Sequence, residues 1–393
     1  MLAGRAAVRY TGTRVNQRSD PMADGVTRPT FVEVSLARLA ENFRAIQAAV
    51  APAAVMPIVK ANAYGHGLVE VARHLAGIGA TSLGVAFVEE AVVLRDAGIT
   101  VPILVMGGIL GTQIPVFLRH GLTLTASSLD KLRHIDEAAR DMGTTARVHL
   151  KIDTGMERIG VHYYNAHGLI ERAAECRHTV VEGIYSHFAN ADAADLGSAR
   201  LQLARFHDVL SWYDKHGVAP PVRHIANSGA ILQLPESHLD LVRPGILLYG
   251  VYPSPEVRRT IAVRPALSWK SRVVYFKVVA AGHPVSYGST WQSDHPVRIV
   301  TVPVGYGDGY FRALSNVAHV LIRGKKYPVA GRVCMDQIMV NIEWDTAYND
   351  DPVVLLGADG DEAITCEHLA DWAGTIPYEI LTNINTRVPR AYV

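Results

Sequence analysis

The sequence predicts an α/β fold, with an N-terminal (β/α)8 TIM-like barrel followed by a C-terminal all-β domain. Two observations support this prediction. Up to about residue 258, short apolar runs alternate with stretches of helical periodicity, and beyond that point strand-like runs follow one another without helices between them. We therefore assign residues 30–258 to the barrel and residues 259–393 to a mainly β C-terminal domain.

The predicted barrel part opens with a strand at residues 31–34 and a helix at residues 36–49, in which Leu39, Phe43 and Ile46 share one face. Eight short apolar runs follow, each predicted to form a buried strand, at residues 55–59, 82–86, 102–106, 122–126, 147–152, 181–185, 222–226 and 240–242. Helices are predicted between them at residues 68–77, 88–97, 129–142, 164–175 and 198–216. Repeated strand–helix units of this kind are typical of a parallel barrel.

The C-terminal part shows strand-like runs at residues 271–279, 298–304, 319–322, 338–342 and 353–356. Loops join these runs and no helical periodicity separates them, which indicates an all-β domain. Two short helices are predicted at its end, near residues 367–373 and 378–384.

Composition excludes several classes of protein. The formal net charge of the 393-residue chain is +1 and no block of lysine and arginine is long enough to follow a phosphate backbone, so we expect no nucleic-acid partner. No apolar run approaches the roughly 20 residues that span a bilayer, so we expect no membrane partner. The three cysteines form no CxxC pair, and there is no HExxH motif. These features predict a cytoplasmic protein with neither a disulfide framework nor a metal site.

The first 29 residues differ in character from the rest of the chain. Residues 1–19 contain four arginines and no acidic residue, and no apolar segment follows them. A secretory signal is therefore not expected, whereas a transit peptide would fit the composition. We favour a simpler interpretation, in which residues 1–29 are a disordered extension or translation begins at Met22.

Chemistry in a (β/α)8 barrel is found at the carboxyl ends of the strands. Unusual polar residues of this sequence lie at those positions: Lys60 at the first predicted barrel strand, Lys151, Asp153 and Arg158 at the fifth, His187 at the sixth, Asn227 and Ser228 at the seventh, and Arg243 at the eighth. Each alone could be a structural polar group with satisfied hydrogen bonds. Together they predict a single site at one rim of the barrel.

The stretch at residues 55–67, Val-Met-Pro-Ile-Val-Lys-Ala-Asn-Ala-Tyr-Gly-His-Gly, is the strongest candidate for the centre of that site. Burying the ammonium group of Lys60 without a partner is costly, so a functional interpretation is a desolvated amine that forms a Schiff base. The alternative is a lysine whose stem is buried while its ammonium reaches solvent. Gly65 and Gly67, which allow a ligand to approach the backbone, and the Tyr64 hydroxyl, which suits a phosphate, favour the functional interpretation.

Residues 58–67, Ile-Val-Lys-Ala-Asn-Ala-Tyr-Gly-His-Gly, closely resemble the pyridoxal 5′-phosphate (PLP) attachment segment of bacterial alanine racemases. The resemblance extends over nearly all of the chain from Phe31 to the C-terminus. It implies a PLP-dependent isomerase that interconverts L-alanine and D-alanine for peptidoglycan, with PLP bound covalently through Lys60. It also implies a homodimer with shared active sites.

A second segment, Val-Ser-Tyr-Gly-Ser at residues 285–289, resembles the part of the family that carries a second base. The resemblance implies two bases, Lys60 on one face of the substrate and Tyr287 on the other, with His187 beside Tyr287 and Arg243 behind the histidine. Tyrosine is ordinarily a poor base at neutral pH, because its pKa is about 10, and neighbouring positive charge makes it a better one. Without the resemblance, Tyr287 would be interpreted as an aromatic residue beside a β-domain turn.

Arg243, in the segment Leu-Val-Arg-Pro-Gly-Ile at residues 241–246, matches the family residue that faces the pyridine nitrogen of PLP. Because an arginine is effectively always protonated and cannot accept a hydrogen bond, it should keep that nitrogen deprotonated and make PLP a weaker electron sink. An acidic residue would do the reverse and would suit a decarboxylase or a transaminase.

The resemblance also assigns the remaining cofactor and substrate contacts. It implies cofactor contacts from Tyr64, Arg158, His187, Asn227, Ser228, the backbone of Gly245 and Ile246, and Tyr378. It implies substrate contacts from Arg158, Tyr306 and the backbone N–H of Met335, with Tyr287, Tyr306 and Met335 reaching into the barrel of a partner subunit. Lys151 matches a lysine that is carbamylated in many relatives, and its modification cannot be read from the sequence.

The chain departs from the family pattern at Tyr185-Ser186, where phenylalanine and threonine are more usual, and at Glu157. Three alternatives to a strict alanine racemase stay open. The first is a racemase with a broader range or a preference for serine. A barrel-type PLP decarboxylase is disfavoured by Arg243 and Tyr287, and a non-catalytic PLP carrier is disfavoured by the presence of the β domain.

Overall fold

The computed structural model describes residues 28–393, so the predicted N-terminal extension lies outside the described residues except for Arg28 and Pro29. The strands of the described part are β1 (Phe31–Val34), β2 (Ala54–Val55), β3 (Leu83–Val85), β4 (Ile103–Val105), β5 (Thr123–Ala126), β6 (Ala146–Asp153), β7 (Val161–His162), β8 (Thr179–Tyr185), β9 (Val222–His224), β10 (Leu241–Val242), β11 (Leu267–Arg272), β12 (Tyr275–Val279), β13 (Val297–Val302), β14 (His319–Ile322), β15 (Lys325–Pro328), β16 (Ile338–Asn341), β17 (Pro352–Asp359), β18 (Glu362–Ile364) and β19 (Arg390–Tyr392). The helices are α1 (Leu36–Val50), α2 (Lys60–Tyr64), α3 (Leu68–Gly77), α4 (Val88–Asp96), α5 (Ile114–Arg119), α6 (Leu129–Asp141), α7 (Ala166–Glu175), α8 (Gly197–His216), α9 (Ser228–Gln233), α10 (Cys366–Ala373) and α11 (Pro377–Thr382).

The predicted barrel strands close into a ring. One parallel sheet has the order β3-β4-β5-β6-β8-β9, and β10 pairs in parallel with β2. A parallel bridge between Ile58 and Gly84 joins the continuation of β2 to β3, and the backbone N–H of Arg243 donates to the carbonyl of Ala226 (3.0 Å), which joins β10 to β9. The predicted fold class, a barrel followed by β sheets, is confirmed.

The predicted strand at residues 55–59 is interrupted in the structure. Regular pairing covers only β2, and the chain pairs again at Ile58. Pro57 lies between the two paired regions and has no N–H to give to a neighbouring strand. Its carbonyl still accepts a hydrogen bond from Gly84 N (2.9 Å), and Val59 N donates to the Gly84 carbonyl (2.9 Å), so the run stays fixed in the barrel wall up to Lys60.

Helix α1 forms and packs as its pattern predicts. The Ser35 side chain accepts a hydrogen bond from the backbone N–H of Arg38 and caps the helix, while Leu39, Phe43 and Ile46 are buried against the barrel. The sequence did not predict seven further elements of the described part, namely α2, α5, α9, β7, β15, β18 and β19.

The first strand pairs outside the barrel. Strand β1 lies between β11 and β19 in a sheet of order β15-β14-β17-β11-β1-β19, with β18 beside β17. It is antiparallel to β11 and parallel to β19, which comes from the other end of the chain. The predicted barrel limits of residues 30–258 therefore include one strand that belongs to the sheet of the C-terminal part.

The prediction of a single strand at residues 271–279 is wrong. The chain forms β11, in the sheet with β1, and then β12, in a separate sheet of order β12-β13-β16. The change occurs between two neighbouring residues: Val273 N donates to the carbonyl of Asp351 (2.9 Å), and Val274 N donates to the carbonyl of Thr301 (2.9 Å). An apolar run that turns a corner between two sheets has the same composition as one continuous strand, so the sequence pattern cannot separate them.

No helix between residues 28 and 393 has both the length and the apolar character to cross a membrane.

Candidate active site

A cavity of about 370 Å³ lies at the carboxyl ends of the barrel strands. The volume is in the range of small-molecule sites. The cavity brings together predicted site residues from α11 and from the segments that follow the four barrel strands β2, β8, β9 and β10, namely Lys60, Tyr64, His187, Asn227, Ser228, Arg243, Gly245, Ile246 and Tyr378. Met106 and Thr382 also line it and were not predicted.

Lys60 begins α2, which is a short left-handed turn and not a right-handed α-helix. The residues from Ala61 to Tyr64, none of them glycine, have φ angles between 52° and 55°. This conformation costs roughly 1–2 kcal/mol per residue, so other contacts must hold it. Asn62 Oδ1 accepts a hydrogen bond from Leu68 N (2.8 Å), and Glu90 Oε1 accepts one from Ala61 N (2.6 Å). The turn fixes the direction in which Lys60 leaves the barrel wall.

The amine of Lys60 is half-buried, and this burial lowers its pKa from the ordinary value of a lysine. The charge of Arg158 lowers the pKa of Lys60 further, while Glu90 opposes the shift. Arg158 itself is exposed at the rim, and its backbone N–H donates to Asp153 Oδ2 (3.2 Å). Arg158 is thus close enough to influence the site but does not line the cavity.

Arg243 organises two histidines behind the cavity. Its guanidinium lies 2.7 Å from His224 Nδ1 and 3.2 Å from His187 Nδ1. Arginine can only donate, so both Nδ1 atoms are acceptors and both histidines carry their proton on Nε2. His224 Nε2 is 2.8 Å from His149 Nδ1, which extends the chain of hydrogen bonds. Burial and the charge of Arg243 hold the pKa values of all three histidines well below their usual range, so they are neutral near pH 7.

The charge of Arg243 is retained in this buried position. Only 3% of the residue is exposed, and burial lowers its pKa to about 10, which leaves it protonated at neutral pH. The carbonyls of Ser186 (2.7 Å) and Ile225 (3.1 Å) accept hydrogen bonds from its Nη2 and help to compensate the buried charge.

Tyr185 and Lys151 lie beside this network. The Tyr185 ring stacks on His224, with centroids 4.8 Å apart, and its hydroxyl is 2.8 Å from Thr125 Oγ1. The Lys151 amine lies 4.9 Å from the centre of the Tyr185 ring and donates to the carbonyl of Ile152 (3.2 Å). Burial is the main cause that lowers the pKa of Lys151 to about 7, so a large part of this amine is uncharged near neutral pH. The hydroxyl of Tyr185, one of the departures from the family pattern, thus forms a specific contact in the barrel interior.

The opposite end of the cavity is rich in hydroxyl and backbone N–H groups. Ser228 Oγ accepts hydrogen bonds from Gly245 N (3.0 Å) and Leu247 N (3.3 Å). A Cβ atom on Gly245 would lie 2.3 Å from the Tyr64 hydroxyl, so only glycine leaves this space open. Burial raises the pKa values of the Tyr64 and Tyr378 hydroxyls, which therefore remain hydrogen-bond donors. Neutral hydroxyl donors beside the space that Gly245 leaves open are suited to an anion.

Besides Arg158, three predicted site residues do not line this cavity: Tyr287, Tyr306 and Met335. Their exposed fractions are 72%, 43% and 54%, which is high for apolar side chains. Their loops are joined to one another, because Ser286 Oγ donates to the carbonyl of Arg332 (2.6 Å) and Tyr306 N donates to the carbonyl of Cys334 (3.0 Å). They form one surface of the C-terminal part, which the single chain leaves uncovered.

Several supporting residues were missed by the sequence analysis. Glu90 Oε2 accepts a hydrogen bond from the N–H of Phe87 (3.2 Å), but phenylalanine is not an N-cap residue type, so no capping pattern in the sequence reveals this role of Glu90. His224 and His149 meet only through the barrel interior, and no local pattern connects them. The described residues include no cluster of histidine, cysteine and carboxylate side chains placed to hold a metal ion.

The fold and this cavity define a (β/α)8-barrel protein with a small-molecule site at the carboxyl ends of its strands. Residues 34–253 match the family model of the alanine racemase N-terminal domain, and residues 266–392 match that of the alanine racemase C-terminal domain. The chain belongs to the alanine racemase family, a PLP-dependent family of isomerases, and the resemblance inferred from the sequence is confirmed.

Individual relatives agree with this membership. An alanine racemase of Carboxydothermus hydrogenoformans is 47% identical over 93% of this chain and 100% of its own length. The crystal structure of an alanine racemase from D-cycloserine-producing Streptomyces lavendulae superposes with a TM-score of 0.89 at 40% identity and covers 94% of this chain and 98% of that one. A histidine racemase from Leuconostoc mesenteroides has a TM-score of 0.86 at 28% identity, with 94% and 99% coverage.

Proposed function

We propose that this chain is a PLP-dependent alanine racemase that interconverts L-alanine and D-alanine by proton transfer at the α-carbon, with Lys60 and Tyr287 as the two bases. The observation that carries the proposal is the presence of Lys60, with its lowered pKa, and Arg243 in one cavity of a chain of this family. The product D-alanine would serve peptidoglycan synthesis in the cytoplasm.

The groups around the cavity fit PLP. The Lys60 amine suits the aldehyde, the Arg243 guanidinium suits the lone pair of a pyridine nitrogen, and the hydroxyls of Tyr64 and Tyr378, with the space beside Gly245, suit a phosphate. Asn227, Ser228, Ile246 and His187 complete the surrounding wall. When bound, PLP supplies the electron sink that makes the α-proton of an amino acid removable.

Lys60 is the base for one face of the substrate. Its lowered pKa leaves more of the amine unprotonated at neutral pH than in an ordinary lysine, and an unprotonated amine is what both carbonyl binding and proton acceptance require. The charge of Arg158 contributes to this shift, and its position at the rim also suits the carboxylate of an amino acid.

His187 connects Arg243 to the second base. Since its Nδ1 accepts from Arg243, the Nε2–H of His187 is free to donate to another oxygen at the cavity. A donor held in this tautomer would stabilise negative charge on the Tyr287 hydroxyl of a partner subunit, and a tyrosine needs that stabilisation to act as a base.

Arg243→Glu should raise the number of alanine molecules converted to pyruvate for each alanine molecule that is racemised. A carboxylate can accept the proton of the pyridine nitrogen, which strengthens the electron sink and favours side transamination, whereas an arginine cannot. Arg243→Lys is the matched control, because it keeps a charged donor at the same position. Pyruvate and both alanine enantiomers would be measured in the same reaction, and an unchanged ratio in Arg243→Glu would refute the proposed tuning.

We infer that the active site is shared between two subunits. Tyr287, Tyr306 and Met335 expose apolar surface on one face of the chain, and a symmetric dimer would place that face against the partner's barrel twice. The sites of such a dimer would each combine Lys60 from one subunit with Tyr287 from the other.

Mixing Lys60→Ala and Tyr287→Phe subunits should restore activity. In a mixed dimer one site collects both lesions and the other collects neither, so random equal mixing should return roughly a quarter of the activity of the unmodified protein. Subunits would be co-refolded and assayed for D-alanine formation. If each chain completed its own site, every site would carry one lesion and mixing would restore nothing.

Lys151 is expected to react with carbon dioxide. Its lowered pKa provides the neutral amine that forms a carbamate, and the resulting negative charge would pair with Arg158. Exposure to 13C-labelled bicarbonate should give a carbamate carbon signal in NMR spectra, and Lys151→Ala should lack it. A spectrum of the unmodified protein without that signal would show that Lys151 stays an amine.

A racemase with a broader substrate range, or with a preference for serine, is the alternative function for this site. A histidine racemase shares the fold at 28% identity, which keeps a broader or serine-preferring racemase as the alternative. The discriminating experiment is a chirality-resolved screen of the proteinogenic amino acids with the PLP-loaded protein. We expect alanine to be racemised with the highest kcat/KM, and release of carbon dioxide would instead favour a decarboxylase.

A further inference from the structure

A second cavity, of about 240 Å³, lies between the barrel and the C-terminal sheet. It shares no lining residue with the cavity around Lys60, although His66 and Leu381 of its wall are close in sequence to Tyr64 and Thr382 of the other. It reaches solvent beside Arg38 and Ala358, which are exposed, and it extends inward to the fully buried His66 and Tyr249.

The walls of this cavity are mainly apolar and its polar side chains are mostly occupied. Leu267, Leu356, Ile364 and Leu381 supply apolar surface. Arg38 Nη1 donates to the carbonyl of Pro265 (3.1 Å), Cys366 Sγ donates to the carbonyl of Pro377 (3.3 Å), and the Tyr249 hydroxyl donates to the carbonyl of Ile58 (2.9 Å). Arg38, at the mouth, is the one charged side chain of the wall, so a charged group deeper in the cavity would find no counter-charge.

His66 differs from the other buried side chains of the wall, because one of its ring nitrogens is buried without a partner. Its Nδ1 is 2.9 Å from the carbonyl oxygen of Tyr64, and a carbonyl only accepts, so Nδ1 carries the proton and Nε2 is left as an acceptor. Nε2 is buried and makes no hydrogen bond. Burial lowers the pKa of His66 to about 4, so the ring is neutral near pH 7 and Nε2 keeps its lone pair. An acceptor left in this state destabilises the fold until a donor reaches it.

We propose that this cavity binds a small neutral molecule with a compact aromatic body and one O–H or N–H group, which donates a hydrogen bond to His66 Nε2. A mainly apolar wall with one buried, unpaired acceptor at its inner end is the complement of a phenol- or indole-like ligand. The cavity is larger than the roughly 150 Å³ engineered cavity that binds benzene in another protein, so a substituted ring can be accommodated. This site is independent of the racemase proposal.

The test compares 4-fluorophenol with 4-fluorotoluene, two probes of similar shape of which only the first can donate. Dissociation constants are measured by 19F NMR titration of the PLP-loaded protein. Wild-type protein should bind 4-fluorophenol saturably. The preference is the dissociation constant of 4-fluorotoluene divided by that of 4-fluorophenol. This ratio should be about tenfold greater for wild-type protein than for His66→Phe, which keeps a ring and removes the acceptor.

Ala363→Leu provides a test that leaves His66 in place. Ala363 lines the cavity, and a leucine at this position should fill it. The dissociation constants of both probes should then rise by about tenfold or more. Ala280→Leu, at an exposed position elsewhere, should leave both dissociation constants unchanged. Absence of saturable binding to wild-type protein would overturn the proposal and leave water as the partner of Nε2. The proposal would also be overturned if His66→Phe showed the same probe preference as wild-type protein, or if Ala363→Leu bound both probes as tightly as wild-type protein does.

Discussion

Lys60→Ala is expected to remove covalently bound PLP and racemase activity together. The amine of Lys60 is the group proposed to bind the aldehyde and to act as base on one face, and its lowered pKa supports both roles. A methyl group can do neither. Loss of a general base alone lowers a rate by about 10²- to 10⁴-fold, and loss of the attachment point adds to it, so we expect a decrease of about 10³-fold or more.

The loss of attachment is measured separately from the loss of activity. Borohydride reduction followed by peptide mapping should place the cofactor on Lys60 in the unmodified protein and find it on no lysine in Lys60→Ala. Lys151→Ala is the matched control, since Lys151 is a buried lysine of the same barrel whose pKa is also lowered. It should keep both the visible absorption of bound PLP and the reduced product on Lys60. A cofactor mapped to another lysine would disprove the assignment.

Tyr287→Phe is expected to leave PLP attached and to impair the two directions of the reaction unequally. The change removes only a hydroxyl, and the side chain lies outside the cavity of its own chain, so cofactor binding should persist. Exchange of the α-proton with solvent should survive for the enantiomer whose proton faces Lys60. For the other enantiomer it should fall by about 10²- to 10⁴-fold.

The measurement for Tyr287→Phe is deuterium incorporation from D2O, followed separately for L-alanine and D-alanine. Tyr275→Phe, at another exposed tyrosine of the C-terminal part, controls for general effects of losing a hydroxyl and should exchange both enantiomers normally. Equal and undiminished exchange of the two enantiomers in Tyr287→Phe would contradict a second base at this position.

Barrel topology explains why the sequence could predict that several site residues lie at one rim of the barrel. Lys60, His187 and Arg243 are far apart in the chain, yet each follows a barrel strand, and parallel strands in a closed barrel bring their carboxyl ends to one rim. The apolar runs were therefore enough to predict the cavity. Most strand and helix limits also agree with the prediction within a few residues, because apolar periodicity changes sharply at Gly and Pro.

Other features depend on contacts that no local pattern records. The left-handed turn after Lys60 is built from alanine, asparagine and tyrosine, and it persists because Glu90 and Asn62 hold it. Strand β1 pairs with β19, whose residues lie at the opposite end of the chain. The chain of hydrogen bonds from Arg243 through His224 to His149 crosses the barrel interior. Sequence analysis missed these because each needs the complete fold to bring its members together.

The most direct test of the central claim is incubation of the PLP-loaded protein with L-alanine in D2O, with chiral separation and mass analysis of the products. We expect D-alanine that carries deuterium at the α-carbon, formed until the two enantiomers are equal in concentration. Recovery of L-alanine alone, or formation of ethylamine and carbon dioxide in place of D-alanine, would contradict it.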